Sequence, residues 1–278
     1  MVRRISSSQF RSQMRSAQSK MRREVNKINS SVRQYNQAVR RHNSQVMHNR
    51  TRINSELRKL RTSSISTKYT ISVRTLNSAY QQASTHYDNL DSPTQFEDLF
   101  YSNIEQENAN NIATANALDN QSADAAMTAL ADTAITDHLE QFSIDLDKRW
   151  KGALYSLSPI NPDAARHFCT SSREIFTDLL ELKASDADVF CRYPDSPTTE
   201  RGTPTRRWKI KYLLNKKGIV SKDAEDFVEE DITNILELFH TLSDGTHGEA
   251  GKYDEVKLSS VKKRVEDGII FLSNIARD

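Results

Sequence analysis

Glycine and proline are scarce in this sequence, and both are absent from its long opening stretch. The 278 residues include seven glycines and six prolines, of which the first are Gly152 and Pro93. These two residue types interrupt helices more strongly than any others. Residues 1–92, which contain neither, are therefore predicted to form long helices.

Long apolar runs and cysteine pairs are also missing. No segment approaches the roughly 20 apolar residues that a membrane-spanning helix needs, and the basic N-terminus lacks the apolar core of a signal peptide. We therefore expect a cytoplasmic protein that has no membrane partner. Cys169 and Cys191 have neither CxxC spacing nor a histidine at the spacing of a metal ligand. We expect both thiols to be reduced, and we expect no metal and no cofactor.

The charge is divided unevenly along the chain. Residues 1–61 carry a net charge of +14, residues 62–150 carry −9 and residues 151–278 carry −3, which together give the overall +2. Two partners could neutralise the basic segment: a polyanion such as DNA or RNA, or the acidic middle of the same or a neighbouring chain. We expect nucleic acid to be the partner.

Between residues 10 and 60, apolar residues recur in steps of three and four, the pattern of an amphipathic helix. Five β-branched residues fall seven apart, at Val25, Val32, Val39, Val46 and Ile53. This spacing is typical of the seam of a two-stranded coiled coil. We predict a helix of about 75 Å that forms a homodimer through residues 10–60. A bent intramolecular hairpin is the alternative, and the lack of glycine and proline favours the unbroken helix.

Polar side chains modify this N-terminal helix in two ways. His42 and Asn49 interrupt the apolar seam, and such residues lower stability while fixing register. The basic residues are expected to lie along nucleic-acid phosphates. The predicted phosphate contacts on this helix are Arg22, Arg23, Arg40 and Arg41.

The chain divides by pattern into three regions. Residues 1–62 are predicted to be a basic coiled-coil helix, residues 63–135 an acidic, partly helical connector, and residues 136–278 a helical domain. In the connector, Tyr69, Ile71 and Val73 alternate with polar residues and predict a short extended piece. Helix is predicted at 75–87 and again after Ser92. The asparagine-rich stretch 103–135 is either weak helix or a mobile connector.

The C-terminal region has the periodicity of a packed domain. Helices are predicted at 136–156, 161–184, 204–216, 222–243 and 256–276, with prolines and glycines at the breaks. The predicted fold is therefore all-α, with a long N-terminal coiled-coil-like helix followed by a C-terminal helical bundle.

The most unusual local sequence is the glycine-rich stretch between the last two predicted helices. Three glycines lie within seven residues around Thr246 and His247. Such a turn can hold an imidazole at the surface as a general acid or base. The alternative is that His247 only caps a helix or bonds within the turn.

Two further groups of residues are candidates for phosphate chemistry. On one predicted helix, Arg166 and Arg173 are seven residues apart and share a face, next to His167 and Glu174. This set predicts a phosphate-binding or catalytic face, or instead an Arg–Glu network between helices.

The second group is a basic cluster around Trp208, comprising Arg206, Arg207, Lys209 and Lys211. It predicts a nucleic-acid contact, or instead a solvated basic face with Trp208 in the core.

Several of these residues belong to stretches that together resemble a known bacterial family. The stretches are Arg149–Phe168, Ser172–Ile175, Pro204–Arg207, Asp244–Gly248 and Lys262–Gly268. They resemble the predicted PIWI-associating nucleases over roughly residues 140–278. The resemblance implies a cytoplasmic bacterial protein linked to defence against invading phage or plasmid nucleic acid, with a possible partner protein of the same defence system. The positions that match the family's motifs are Arg166, His167, Arg173, Glu174, Arg206, Arg207, Thr246 and His247.

Two functions are consistent with the sequence. In the first, the chain is a nuclease that uses His247 as acid or base and arginines to stabilise charge, without an evident need for metal. In the second, it is a non-enzymatic coiled-coil adaptor that docks a partner effector.

Overall fold

The computed structural model describes residues 6–60, 67–119, 135–158, 161, 163–246 and 255–277. Ten α-helices and no β-strand occur in these ranges, which confirms the all-α fold with a long N-terminal helix. The helices are α1 (Ser7–Leu60), α2 (Thr67–Asp88), α3 (Gln95–Asp119), α4 (Thr136–Glu140), α5 (Ile144–Ser156), α6 (Ala164–Lys183), α7 (Asp186–Arg192), α8 (Arg206–Lys216), α9 (Lys222–Thr246) and α10 (Glu255–Ala276). None of these helices combines the length and apolar character needed to cross a membrane.

The chain divides into two units, with the boundary after His48, inside the sequence of α1. The first unit is helical from Ser7 onward, and every residue from Ser6 to Arg41 is exposed. Its apolar seam is exposed as well; Met21, Ile28 and Tyr35 are more than 60 % accessible. Among the described residues, none covers this seam.

The second unit begins with the last turns of α1. Asn49, Ile53 and Leu60 are buried there, so this part of the predicted seam packs inside its own chain. Arg50 is held by two carboxylates, Asp88 at 2.8 Å and Glu105 at 2.9 Å.

The prediction of an extended piece around residues 69–73 is wrong, because α2 begins at Thr67. Tyr69 and Val73 are fully buried, whereas Ile71 between them is exposed. Burial continues at Leu76 and Tyr80, so the core-facing residues recur every three or four positions. The alternation that predicted a strand is a short part of this helical period.

The asparagine-rich stretch forms helix as far as Asp119, and residues 120–134 lie outside the described residues. Asparagine is a poor helix former, but here the side chains are buried and hydrogen-bonded to neighbouring helices. Asn108 donates to Asn77 of α2, Asn116 donates to Glu56 of α1, and Asn110 donates to Asp267 of α10. Tertiary contacts therefore outweigh the local propensity.

Three helices in the second half differ slightly from the predicted ranges. The helix predicted at 136–156 is divided into α4 and α5, because Ser143 caps α5 by accepting a hydrogen bond from the Asp145 amide. A further short helix, α7, follows Ser185, whose side chain accepts a hydrogen bond from the Asp188 amide. Both cysteines are free, with Cys169 buried in α6 and Cys191 exposed in α7.

The last two helices, α9 and α10, form an antiparallel pair. Phe227, near the start of α9, contacts Phe271, near the end of α10, with ring centroids 6.1 Å apart. Further along α9, Ile235 lies against Gly268. Residues later in α9 therefore contact residues earlier in α10, as expected for antiparallel helices.

A fully buried ion cluster joins α3, α9 and α10. The Arg264 guanidinium donates to Glu107 at 2.7 Å and also to Asp231. All three side chains are at most 6 % exposed. Burial raises the pKa of both carboxyl groups, and Arg264 opposes that shift. In this cluster, one buried cation thus faces two buried carboxylates.

Candidate functional site

The position of α6 relative to α9 determines which predicted site residues can meet. Phe176 of α6 and Ile235 of α9 lie at one level, because both surround Gly268. The nearest atom of Phe176 is 3.3 Å, and that of Ile235 2.4 Å, from the position that a Cβ on Gly268 would occupy.

The contacts of α8 then give the direction of α6. Glu181 of α6 forms an ion pair with Lys209 of α8, at 2.5 Å. One turn earlier on α8, Arg206 pairs with Glu229 of α9 at 2.7 Å. Moving forward along α6 from Phe176 therefore corresponds to moving backwards along α9, so the two helices are antiparallel.

It follows that the start of α6 and the end of α9 lie at the same end of the second unit. Arg166 precedes Phe176 by about 15 Å of helix, and Thr246 follows Ile235 by about 16 Å. Because α10 is antiparallel to α9, its first residue, Glu255, lies at this end too. The candidate residues at the start of α6 therefore lie near the C-terminal end of α9.

A carboxylate links the arginine and the histidine at the start of α6. Asp163 accepts from Arg166 Nε at 2.8 Å and lies 3.7 Å from His167 Nε2. The other ring nitrogen of His167, Nδ1, is 3.3 Å from the side-chain nitrogen Nδ2 of Asn161. Both site side chains are more than half exposed. The arrangement holds an imidazole and a guanidinium at the surface with a defined orientation.

The second arginine and the glutamate of this helix have different surroundings. Arg173 is exposed on the same face as Arg166, about 10 Å along the helix, and forms no ion pair within the described residues. Glu174 pairs instead with Arg149 of α5, which also contacts Asp145 and Asp178. Glu174 therefore joins α5 to α6, which was the alternative considered for this set.

The predicted basic cluster on α8 is neutralised by carboxylates. Each of its four cations has a described partner. The pairs are Arg206–Glu229 at 2.7 Å, Arg207–Asp226, Lys209–Glu181 at 2.5 Å and Lys209–Asp186 at 2.6 Å, and Lys211–Glu225 at 3.7 Å. Phosphate contacts by these side chains would have to compete with these pairs.

The aromatic residue of this cluster faces inward. Trp208 is half-buried, packs against the core and contacts Tyr193, with ring centroids 5.1 Å apart. Lys211 lies over both rings, 4.9 Å from the Trp208 centroid. The cluster is best described as a contact of α8 with α6, α7 and α9. Its role as a nucleic-acid surface stays a prediction.

The four arginines predicted to contact phosphate on α1 are not neutralised in this way. Arg22, Arg23, Arg40 and Arg41 are exposed, and none forms an ion pair within the described ranges. In the first unit, the described ion pair is the one between Lys27 and Glu24, at 2.9 Å. These four charges are free to meet an external polyanion.

The last two predicted catalytic residues are Thr246, at the C-terminal end of α9, and His247, which follows it in the sequence. The backbone of Thr246 ends α9, and His247 lies outside the described residues. Within the described ranges, no group of three or more histidine, cysteine, aspartate or glutamate side chains has the arrangement of a metal site.

The family comparison covers the helices that carry this site. The C-terminal half of the chain, residues 139–272, matches the family of predicted pPIWI-associating nucleases. This confirms the resemblance drawn from the sequence. No curated protein and no solved structure shows a significant match to the chain. The nuclease family match includes every candidate residue of α6 and α8 as well as Thr246 and His247, and it excludes α1.

Two groups at the site were missed by sequence reasoning. Asp163 was assigned no role from the sequence, but it contacts both Arg166 and His167. Asn161 accepts from the Asp163 amide at 3.1 Å and so fixes the turn. The available signal was an Asn-x-Asp sequence separated by two alanines from an Arg-His pair, because Asx side chains commonly fold back on the backbone two residues on.

Proposed function

We propose that this chain is a nucleic-acid-directed bacterial defence protein, in which the C-terminal domain cleaves nucleic acid and the N-terminal helix binds phosphates. The nuclease family match over residues 139–272 supports cleavage. The site assignment rests on one observation, namely that Arg166 and His167 lie at the same end of the second unit as Thr246. His247 follows Thr246 directly in the chain and completes the proposed site.

The chemistry proposed for this site is acid–base cleavage of RNA. One histidine, His247, takes the proton of a ribose 2′-hydroxyl, whose oxygen attacks the adjacent phosphorus. The bond from phosphorus to the 5′-oxygen breaks, and His167 returns a proton to that oxygen. The products are a 2′,3′-cyclic phosphate and a 5′-hydroxyl. Arg166 and Arg173 stabilise the extra negative charge on the phosphoryl oxygens, and the Thr246 hydroxyl donates to one of them.

The roles of the neighbouring groups follow from their contacts. Asp163 orients the imidazole of His167, because its carboxylate lies 3.7 Å from Nε2. Glu174 has a structural role in this proposal, since it holds Arg149.

The first experiment is a cleavage assay with labelled single- and double-stranded RNA and DNA, in magnesium or in EDTA. We expect RNA to be cut in EDTA. We expect His247→Ala to lower the rate by about 10²- to 10⁴-fold, the usual contribution of general acid–base catalysis. The matched control is His86→Ala. His86 lines the same pocket as Asp223, which lies at the start of α9, about 35 Å along that helix from Thr246. The loss of His86 should therefore leave the rate unchanged.

Two outcomes would contradict this proposal. Full activity in His247→Ala would exclude that residue as acid or base. Bands that are shifted but never cut would leave a binding protein, and would favour the alternative function of an adaptor that docks a partner effector.

The N-terminal helix is proposed to pair with a second copy and to present its arginines to phosphates. The exposed apolar seam up to Val39 supports pairing, because a helix with such a stripe normally covers it. The seam from Ile53 onward packs inside the second unit, so the proposed pairing covers the seam only up to Val46.

Replacing Arg22, Arg23, Arg40 and Arg41 together by glutamine tests the phosphate contacts. The logarithm of the binding constant should fall less steeply with the logarithm of salt concentration, by about 0.9 for each arginine that contacts duplex phosphate. Sedimentation should still give the mass of a two-chain particle, since the substitutions leave the a and d positions of the seam intact. An unchanged salt slope would show that these arginines do not meet the backbone.

A further inference from the structure

A small cavity lies inside the second unit, between the end of α1, α3 and α10. Its volume is about 170 Å³, and its lining consists of two cations, one carboxylate, three polar side chains and two alanines. The lining residues are Arg52, Lys263, Asp267, Asn110, Thr114, Ser260, Ala113 and Ala117. We refer to it as the α1–α3–α10 notch.

Arg52 is the most informative residue of the notch. It is half-buried and forms no ion pair or hydrogen bond with the residues that the structure describes. Its neighbour on α1, Arg50, is held by Asp88 and Glu105. A half-buried guanidinium keeps its full charge and five N–H donors, and such groups are normally satisfied by an anion. Arg52 therefore lacks the partner that Arg50 has.

The other charges of the notch balance each other. Lys263 contacts both oxygens of Asp267 at 3.3 Å, and Asn110 donates to the same carboxylate at 3.0 Å. Asp267 is thus engaged by its own chain, and the net charge of the lining is +1. A ligand with one negative charge would match it.

The size of the notch limits the ligand further. Pockets that enclose a whole drug-sized molecule occupy roughly 300–1,000 Å³, so a cavity of about 170 Å³ admits one chemical group rather than a complete nucleotide. Ala113 and Ala117 form one side of it on α3, and these short side chains leave room for a group to approach the two cations.

We propose that the α1–α3–α10 notch binds a single phosphodiester of the nucleic-acid backbone, with Arg52 as its main donor and Lys263 as the second cation. A phosphodiester carries one negative charge and offers two oxygens to the planar fork of Arg52. The inference rests on the proposed function, since it names a second point at which the same nucleic acid contacts the second unit.

The first test uses dimethyl phosphate, a diester with one charge, and measures its ³¹P line width with the full chain. Wild-type protein should broaden the line. Arg52→Ala should lose a measurable part of this broadening, and so should Ala117→Leu, which fills the notch without changing any charge. Arg58→Ala is the matched control, because Arg58 is an exposed arginine one turn and a half further along α1. Equal line widths in all four proteins would overturn the proposal.

The second test measures the salt dependence of binding to a 30-nucleotide RNA and to duplex DNA. Loss of one phosphate contact should reduce the salt slope by about 0.7 for a single strand or 0.9 for a duplex, which corresponds to about 5- to 8-fold weaker binding at 0.1 M salt. Arg52→Ala should show this change, Arg52→Lys should keep most of the affinity, and Arg58→Ala should resemble wild type.

The two tests separate the two proposals. If wild-type protein binds no nucleic acid, the proposed function fails, and the line widths still decide whether the notch takes a diester. If wild-type protein binds nucleic acid and Arg52→Ala matches Arg58→Ala in both measurements, the notch proposal fails alone.

Discussion

Replacement of Arg264 by methionine is expected to destabilise the second unit by about 3–5 kcal/mol, because it leaves two buried carboxylates without their cation. Arg264 is fully buried and donates to Glu107 and Asp231, which are themselves at most 6 % exposed. Natural domains are stable by only about 5–15 kcal/mol, so the loss would consume much of the total. Urea unfolding followed by circular dichroism measures it.

The pH dependence of this variant gives a sharper test than its stability at one pH. Burial raises the pKa of Glu107 well above that of an exposed glutamate, and Arg264 lowers it. A folded-state pKa above the unfolded value of about 4.3 means that stability is largest at low pH and falls as pH rises through the folded pKa. Removing Arg264 raises the folded pKa further. The deficit relative to wild type should therefore be larger at pH 8 than at pH 5.

A double variant distinguishes buried charge from lost packing. Combining Arg264→Met with Glu107→Gln removes one of the two carboxylates together with the cation, and should recover part of the stability at pH 8. If the single variant were as stable as wild type at pH 8, the ion cluster would not be essential to the fold. If the double variant were no better than the single one, the loss would come from packing.

Gly268→Ala is expected to destabilise the protein by up to about 2 kcal/mol, although alanine is the better helix former. The new Cβ would lie 2.4 Å from Ile235 Cδ1, and 3.3 Å from both Arg264 Nη1 and Phe176 Cζ. Overpacking in a core costs about 1–3 kcal/mol, against a gain of about 1 kcal/mol from helix propensity. Gly268→Leu should approach the upper end of that cost. Thermal and urea unfolding measure both.

Gly152 provides the matched control for this prediction. It also lies inside a helix, α5, but no atom is within 4 Å of the position where its Cβ would be. Gly152→Ala should therefore stabilise the protein by about 0.5–1 kcal/mol. Stabilisation by alanine at both positions would contradict the close packing at Gly268.

The helical fold could be predicted from the sequence because its signals are local. The heptad seam of α1 and the periodicity of α9 and α10 depend on residues three to seven apart. The prediction of an extended piece near Tyr69 was wrong because Ile71 is apolar but exposed. An apolar residue at an exposed position made the helical period look like the alternation of a strand. Asn108 and Asn116 indicated weak helix, whereas their burial depends on Asn77 and Glu56, which are distant in sequence.

The candidate site could be predicted only as a set of residue types. The sequence pointed to Arg166 and His167, and both lie on an exposed helix start as expected. It could not show that Glu174 belongs to Arg149. Nor could it show that the basic residues of α8 have carboxylate partners on three other helices. Charge pairing depends on tertiary distance, and a run of cations has the same pattern whether or not it is paired.

The pairing of Arg50 and Arg52 likewise could not be predicted from the sequence. Arg50 and Arg52 are two residues apart and look equivalent in the sequence, but one is held by two carboxylates and the other by none among the described residues. The difference arises from which helix each side chain faces, since residues two apart point to different sides of a helix.

The ion cluster of Arg264 also imposes an order of events during synthesis. Glu107 and Arg264 are separated by 157 residues, and ribosomes add about 5–20 residues per second, so the carboxylate is synthesised roughly 8–30 s before its cation. The helix at the N-terminus needs only neighbouring residues and can form within microseconds of its emergence. Closure of the second unit must wait for α10. During that interval its apolar surfaces are accessible to chaperones, and a ribosome pause before α10 would prolong their exposure.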